Sequence, residues 1–306
     1  MDGETVRVLS YNVRRDVAAD GDYDWAGRRD AVVSTIRFHR PDVVGLQEPL
    51  AHQYDDLREA LGAFTWVGTS REAGDRDGEF CPVGVRTDRF DRLGSGTFWL
   101  SETPDEPGSV GWDATYPRVV TWVRLRDRHT GERLAYLNTH FDHEGERARP
   151  ESARLLRDRV RTVADGATVA VGGDFNCTPD GPAYAVLAGG ADADPDPDPD
   201  AAAAPGAGRT DGGEQRQSRA RRDAESAAAG SESRLVDARL AAPHAPHGPG
   251  TTRTDFESLL PDERIDHVFV DGFDVAGYGV GADLAPDGSF PSDHLPVVVD
   301  LSLPDR

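Results

Sequence analysis

The sequence predicts a layered α/β protein with mixed β-sheets. Its opening reads β-α-β, a later stretch reads as a hairpin, and strand-like runs outnumber helical ones, which a simple doubly wound parallel sheet does not produce. Val6 to Asn12 has the apolar density of a buried strand. Arg28 to Phe38 then sets Ala31, Val32, Thr35 and Ile36 at helical spacing, Pro41 ends that helix, and Val43 to Gln47 is the second strand. A helix is expected over Ala51 to Leu61, followed by short strands at Phe64 to Val67, Val83 to Arg86 and Gly96 to Leu100. Val119 to Arg126 and Arg133 to Thr139 alternate apolar and polar residues across His129-Thr130-Gly131, the pattern of a β-hairpin. Glu151 to Val163 begins just after Pro150 and places Leu156, Val160 and Val163 on one helical face; Val169 to Gly172 is the buried strand that follows. Ile265 to Val270 and Leu295 to Leu301 supply the last strands.

One segment breaks the pattern. From Gly189 to Arg234 no Val, Ile, Leu, Met, Phe, Trp or Tyr occurs, and the stretch holds Asp-Pro repeats from Asp194 to Asp200, poly-Ala, Gly and Ser. Such a segment buries nothing against its chain entropy, so residues 189–234 read as a disordered, acidic low-complexity insertion in a single domain spanning 1–306. No internal repeat is evident.

The 306 residues carry 34 basic and 55 acidic side chains, a net charge of −21, and every basic residue among the Lys and Arg is arginine. That balance disfavours general attraction to nucleic acid or anionic membrane, so a phosphate-bearing substrate needs a local site that overcomes the average field. An Asp-rich, Lys-free chain fits a halophilic cytoplasm, where molar salt screens self-repulsion; nucleotide composition bias is the competing explanation. No apolar stretch is long enough to span a bilayer, no secretory signal precedes Val6, and Cys81 and Cys177 are too few for a disulfide framework. A cytoplasmic monomer is expected.

Polar groups gather where strands end. They are Asn12, Gln47-Glu48, Asn138-Thr139-His140, Asp174 with Asn176, and Asp293-His294 just before the last strand. Singly each is a turn or a solvated corner. Together the ordered segments Ser10-Tyr11-Asn12-Val13-Arg14, Leu46-Gln47-Glu48, Asn138-Thr139-His140-Phe141-Asp142-His143, Gly173-Asp174-Phe175-Asn176, Arg264-Ile265-Asp266-His267-Val268-Phe269 and Ser292-Asp293-His294-Leu295-Pro296-Val297 resemble the endonuclease/exonuclease/phosphatase superfamily, and within it the nocturnin-like group. The resemblance implies a four-layered sandwich, two packed mixed β-sheets flanked by helices, with the motif loops at one edge.

The residue types suit phosphoester chemistry. Hydrolysis needs a hard cation against the phosphoryl oxygens, and Mg²⁺ (or Mn²⁺) takes a few carboxylate and amide oxygens plus water; Glu48, Asn12 and Asp293 are the candidate ligands. By resemblance His294 takes the proton of the attacking water with Asp266 orienting it, Asp174 positions or activates that water, and Asn176 and His140 donate to the phosphoryl group. Arg118 reads equally as a contact to substrate phosphate or as a surface ion pair, His143 equally as a substrate contact or a structural residue, and Trp99 or Trp112 stack a base if they lie open near the site. A 3′–5′ exonuclease-like nuclease on RNA or DNA is the leading expectation. A phosphodiesterase or phosphatase on a small molecule or lipid headgroup is the second, its polyphosphate form disfavoured because it needs several basic residues converging near the site, where the chain offers no lysine and few clustered arginines. A catalytically silent binding scaffold is the third, opposed by the intact motif set.

Overall fold

Alternating or continuous apolar runs become strands wherever one or both faces can be covered, and here two sheets cover each other. The computed structural model describes residues 5–72, 76–189 and 234–302. The first sheet has the order β13-β14-β1-β2-β4-β3, formed by β1 (Thr5–Asn12), β2 (Val43–Gln47), β3 (Phe64–Val67), β4 (Val83–Arg86), β13 (Asp274–Val280) and β14 (Val297–Ser302). The second has the order β5-β6-β7-β8-β12-β9, from β5 (Phe90–Trp99), β6 (Val119–Asp127), β7 (Arg133–His140), β8 (Thr168–Asp174), β9 (Val236–Asp237) and β12 (Asp266–Asp271). A two-stranded ribbon pairs β10 (Arg253–Thr254) with β11 (Leu259–Leu260). Both large sheets are mixed: β1–β2 and β7–β8 run parallel, the other pairs antiparallel.

Three apolar layers hold this together. Val6, Val8, Val43 and Val299 meet Val123, Leu134, Ala170 and Val268 between the sheets. Helices α1 (Trp25–His39) and α2 (Ala51–Ala60) cover the outer face of the first sheet through Trp25, Val32, Ile36 and Leu57. Helices α3 (Ala148–Ala164) and α4 (Pro182–Leu187) cover the second through Leu156, Val160 and Leu187, with the short α5 (Ala238–Ala241) beside β9. The expected four-layered sandwich is therefore the observed fold. Among the described residues no helix is long and apolar enough to cross a membrane. The stretch read as a disordered insertion lies outside the described residues except for its two end positions.

Some boundaries differ from the sequence reading, each for a local reason. Helix α1 begins at Trp25, three residues before the expected start, because Asp24 caps it by accepting from Gly27 N at 2.8 Å. Helix α3 begins at Ala148, its first turn capped from a distance: Asp113 accepts from Arg147 N at 3.2 Å and Ala148 N at 2.6 Å. Strand β5 extends back to Phe90. Strand β13 was not expected, because Gly277 and Gly279 remove the side chains that would reveal its alternation.

Close approach of the sheets demands glycine where Tyr136 crosses the interlayer. A Cβ on Gly45 would lie 2.5 Å from the Tyr136 hydroxyl, and one on Gly172 would overlap the same oxygen from the facing sheet. At the opposite end of the sandwich Arg89 clamps the layers, reaching Asp42 at 2.7 Å and Asp127 at 2.8 Å. Replacing Gly172 by Ala is expected to destabilise the protein by about 1–3 kcal/mol, the cost of overpacking a filled core. Urea unfolding measures this, and an unchanged midpoint would show that the Tyr136 contact is not tight.

Candidate active site

Topology brings the polar strand ends together at one edge. Parallel pairing sets Asn12 opposite Gln47 and His140 opposite Asp174, and antiparallel pairing sets Asp266 opposite Asp174. The first sheet thus contributes Asn12 and Glu48, the second His140, Asp174 and Asp266, and the segment before β14 adds His294. Ser292 ties that segment down by donating from Oγ to the Asn12 carbonyl at 2.7 Å.

Asn12 Nδ2 is the hub between the layers. It lies 2.9 Å from Glu48 Oε1, 3.0 Å from Asp174 Oδ2 and 3.4 Å from His294 Nε2, while its Oδ1 accepts from Arg14 N at 3.0 Å. Asp174 Oδ2 is also 3.4 Å from His140 Nε2 and 3.6 Å from His294 Nε2. His294 Nδ1 is 2.8 Å from Asp266 Oδ2. Asn176 donates from Nδ2 to Phe141 O at 2.9 Å, which leaves its second amide hydrogen free to face a ligand. Glu48 and Asn176 both hold left-handed backbone, with φ of 73° and 47°, a strain that concentrates at functional positions.

Burial sets the protonation states. Asp174 is 1 % exposed, and burial together with Asp266 pushes it up to about 7 against the pull of His294. His140 is held well below its ordinary value by burial and by Arg118 and Arg71, so its ring is neutral. Burial works against charge on His294 too, yet Asp266 and Asp174 outweigh it and raise the ring to about 10. Arg253 Nη1 lies 2.6 Å from His294 Nε2, and because a guanidinium can only donate, that contact belongs to the neutral ring, whereas the two carboxylates favour the charged one.

The donor set fits a hard divalent cation. Glu48, His140 and Asp174 each bring one ligand atom into a cluster within 4.8 Å, and the buried Asp174 beside the half-buried Glu48 calls for a compensating charge. Of the residues read as ligands, Glu48 is in the cluster and Asn12 is bonded to it. Asp293 instead faces Arg253 at 3.2 Å and Arg14 at 3.6 Å.

Glu48, His140, Asp174, Asn176, Asp293 and His294 line a recess of about 350 Å³. Arg14, Arg15, Arg71, Arg118 and Arg253 all reach it, which overturns the expectation that few arginines cluster there. Arg118 is not a surface arginine: it is buried, 3.3 Å from Asp142 and 3.0 Å from His143 Nδ1. Tyr116 stands half exposed on the same wall, stacked on His143 with Arg71 over its ring at 4.6 Å. Neither tryptophan lines the recess. Trp99 is buried and donates to the Arg71 carbonyl at 2.8 Å, so it supports the wall from behind, and Trp112 N bonds Glu102. Sequence reasoning missed Glu79, which holds Arg71 at 2.7 Å and Arg15 at 3.5 Å and lies 3.9 Å from His140 Nδ1. It also missed Arg71 and Arg253. All three sit on loops or a two-residue strand without periodicity; the only signal was position, Glu79 just ahead of the apolar entry into β4.

The profile of the Endonuclease/Exonuclease/phosphatase family matches residues 9–294. An endonuclease/exonuclease/phosphatase from Bacteroides vulgatus superimposes with a TM-score of 0.80 at 31 % identity, covering 98 % of this chain and 99 % of that one. A mannosyl-6-phosphatase from Bacteroides thetaiotaomicron VPI-5482 does so with a TM-score of 0.79 at 29 % identity, covering 97 % and 100 %. Nocturnin of Drosophila melanogaster is 23 % identical over 214 residues, 62 % of this chain but only 31 % of that protein.

A divalent cation held by Asp174 would compete there with a proton, so affinity for Mg²⁺ or Mn²⁺ is expected to rise with pH until the carboxyl is fully ionised. Calorimetric titration at about pH 6 and about pH 8 should differ by roughly tenfold, with proton release at the lower pH. Equal affinities would mean that Asp174 takes no part in binding.

Proposed function

This chain belongs to the endonuclease/exonuclease/phosphatase family, and from that premise we propose that it is a divalent-cation-dependent phosphoesterase that prefers small phosphomonoesters. The observation that carries the preference is the recess: about 350 Å³, lined by five arginines together with Glu48, His140, Asp174 and His294. A monoester dianion concentrates charge in one compact group that guanidinium forks match well. The similarity to a mannosyl-6-phosphatase over nearly the whole of both chains supports the same reading.

The chain's own groups then have distinct tasks. Arg118, held between Asp142 and His143, faces the incoming phosphate with the other arginines. Neutral His140 and the spare amide hydrogen of Asn176 donate to its non-bridging oxygens as charge builds in the transition state. His294 in its neutral form accepts the one proton of the attacking water, which Asp174 positions, with Asp266 fixing the imidazole through Nδ1. The leaving oxygen departs on the opposite side in line with the attack. Glu48 and Asp174, with Asn12 bonded to both, would hold Mg²⁺ or Mn²⁺, which supplies charge neutralisation at the phosphoryl oxygens.

The test is hydrolysis at molar KCl with Mg²⁺, Mn²⁺ or EDTA. p-Nitrophenyl phosphate and hexose 6-phosphates are expected to exceed bis(p-nitrophenyl) phosphate and labelled single-stranded RNA or DNA by about tenfold or more in kcat/KM. Stepwise shortening of the oligonucleotides at the higher rate would instead establish the exonuclease reading, and no cleavage of any compound the binding scaffold. Glu48→Ala, His140→Ala, Asp174→Ala and His294→Ala are each expected to lower kcat by about 10²-fold or more with the fold retained, since each removes a group used mainly in the transition state. Near-normal turnover in any two of them would remove this site from the mechanism.

A further inference from the structure

Strand β12 delivers two neighbouring side chains to different places. Asp266 goes to His294, whereas His267 points to the other face of the sheet, fully buried among the rings of Phe175, Tyr184 and Phe269. The chemistry above leaves this histidine without a task.

Its hydrogen bonds define one tautomer. Arg264 Nη1 lies 2.8 Å from His267 Nδ1, and since a guanidinium offers no lone pair, Nδ1 is the acceptor. The ring proton is therefore on Nε2, which lies 2.8 Å from the Cys177 carbonyl and donates to it. Arg264 is fixed in turn by Asp237 at 2.9 Å, and Asp237 accepts from the Tyr184 hydroxyl at 2.7 Å. Burial and the Arg264 charge lower the ring to about 4, so the arrangement persists through the neutral range.

Cys177 follows Asn176, the residue with left-handed backbone whose carboxamide faces the reacting group. The turn is secured on both sides of it: Phe175 N donates to Ile265 O at 2.9 Å, Asn176 N to Asp174 Oδ1 at 3.0 Å, and the Cys177 carbonyl is taken by His267. We propose that His267 is a positioning residue, a neutral clamp whose tautomer is set by Arg264 and whose bond to the Cys177 carbonyl holds the Asn176 carboxamide in its phosphoryl-stabilising place. The assignment rests on the phosphoesterase reading of the site.

Glutamine at this position keeps both roles, accepting from Arg264 through Oε1 and donating to Cys177 through Nε2; phenylalanine keeps the packing and neither bond. With Mn²⁺ and p-nitrophenyl phosphate, His267→Phe is expected to lower kcat by about ten- to a hundredfold, the cost of a slightly misplaced catalytic group, with KM and the Mn²⁺ dissociation constant within about twofold of native. His267→Gln should recover to within about threefold of native kcat. Unchanged kcat in His267→Phe would overturn the proposal, and so would equal losses in both variants, because then packing or general stability is the cause. Long-range ¹H–¹⁵N spectra of the full native chain test it without turnover and cover the case in which the phenylalanine variant does not fold. A proton on Nε2 and none on Nδ1 at neutral pH is expected; the opposite tautomer or a doubly protonated ring would overturn the clamp. An inactive protein that nevertheless shows the Nε2–H ring would count against the phosphoesterase reading, not against the tautomer.

Discussion

The buried carboxylate of Asp174 is the group around which the site is organised. It ends β8, with His140 in register on one neighbouring strand and Asp266 on the other, and it meets Asn12 from the facing sheet. A carboxylate in so dry a place costs several kcal/mol unless partners or a bound cation offset it. Asn12 Nδ2, Asn176 N and the two imidazoles do part of this, each from a different chain segment. Assembling the partners of this one group is therefore equivalent to closing the motif-bearing edge of the sandwich.

The same economy explains how a strongly acidic chain presents a wall of arginines. Net charge falls on the surface as a whole, but each arginine of the recess is held in place by a carboxylate: Arg14 by Asp20, Arg15 and Arg71 by Glu79, Arg118 by Asp142 and Arg253 by Asp293. The guanidiniums are oriented and only partly neutralised, so the local field opposes the average one. Loop anchoring serves the same end. Asp113 caps α3 and Thr115 donates to Glu144, which together locate the Tyr116–Arg118 wall against the end of β7.

Much of this was legible from local pattern. The limits of β2, β3 and β4 agree with the sequence because each is a short apolar run closed by turn residues, and the motif residues Asn12, Glu48, His140, Asp174 and His294 announced themselves as polar groups at strand ends. What escaped was set by distant partners. Glycines hid β13, Asp113 from another loop set the start of α3, and Glu79, Arg71 and Arg253 lie on segments whose place depends on the tertiary fold. His267 was visible inside a motif, but its task follows only from the Arg264 and Cys177 contacts made on the far face of the sheet.

The central claim is that one cation and one phosphoryl group share the space between Glu48, Asp174, His140 and Asn176. Anomalous diffraction from crystals soaked in Mn²⁺ and orthophosphate tests it most directly. An Mn²⁺ peak within coordinating distance of Glu48 and Asp174 is expected, with a phosphate within hydrogen-bond reach of His140 and the Asn176 carboxamide. Mn²⁺ bound only at surface carboxylates, or phosphate seated away from His140 and Asn176, would contradict it.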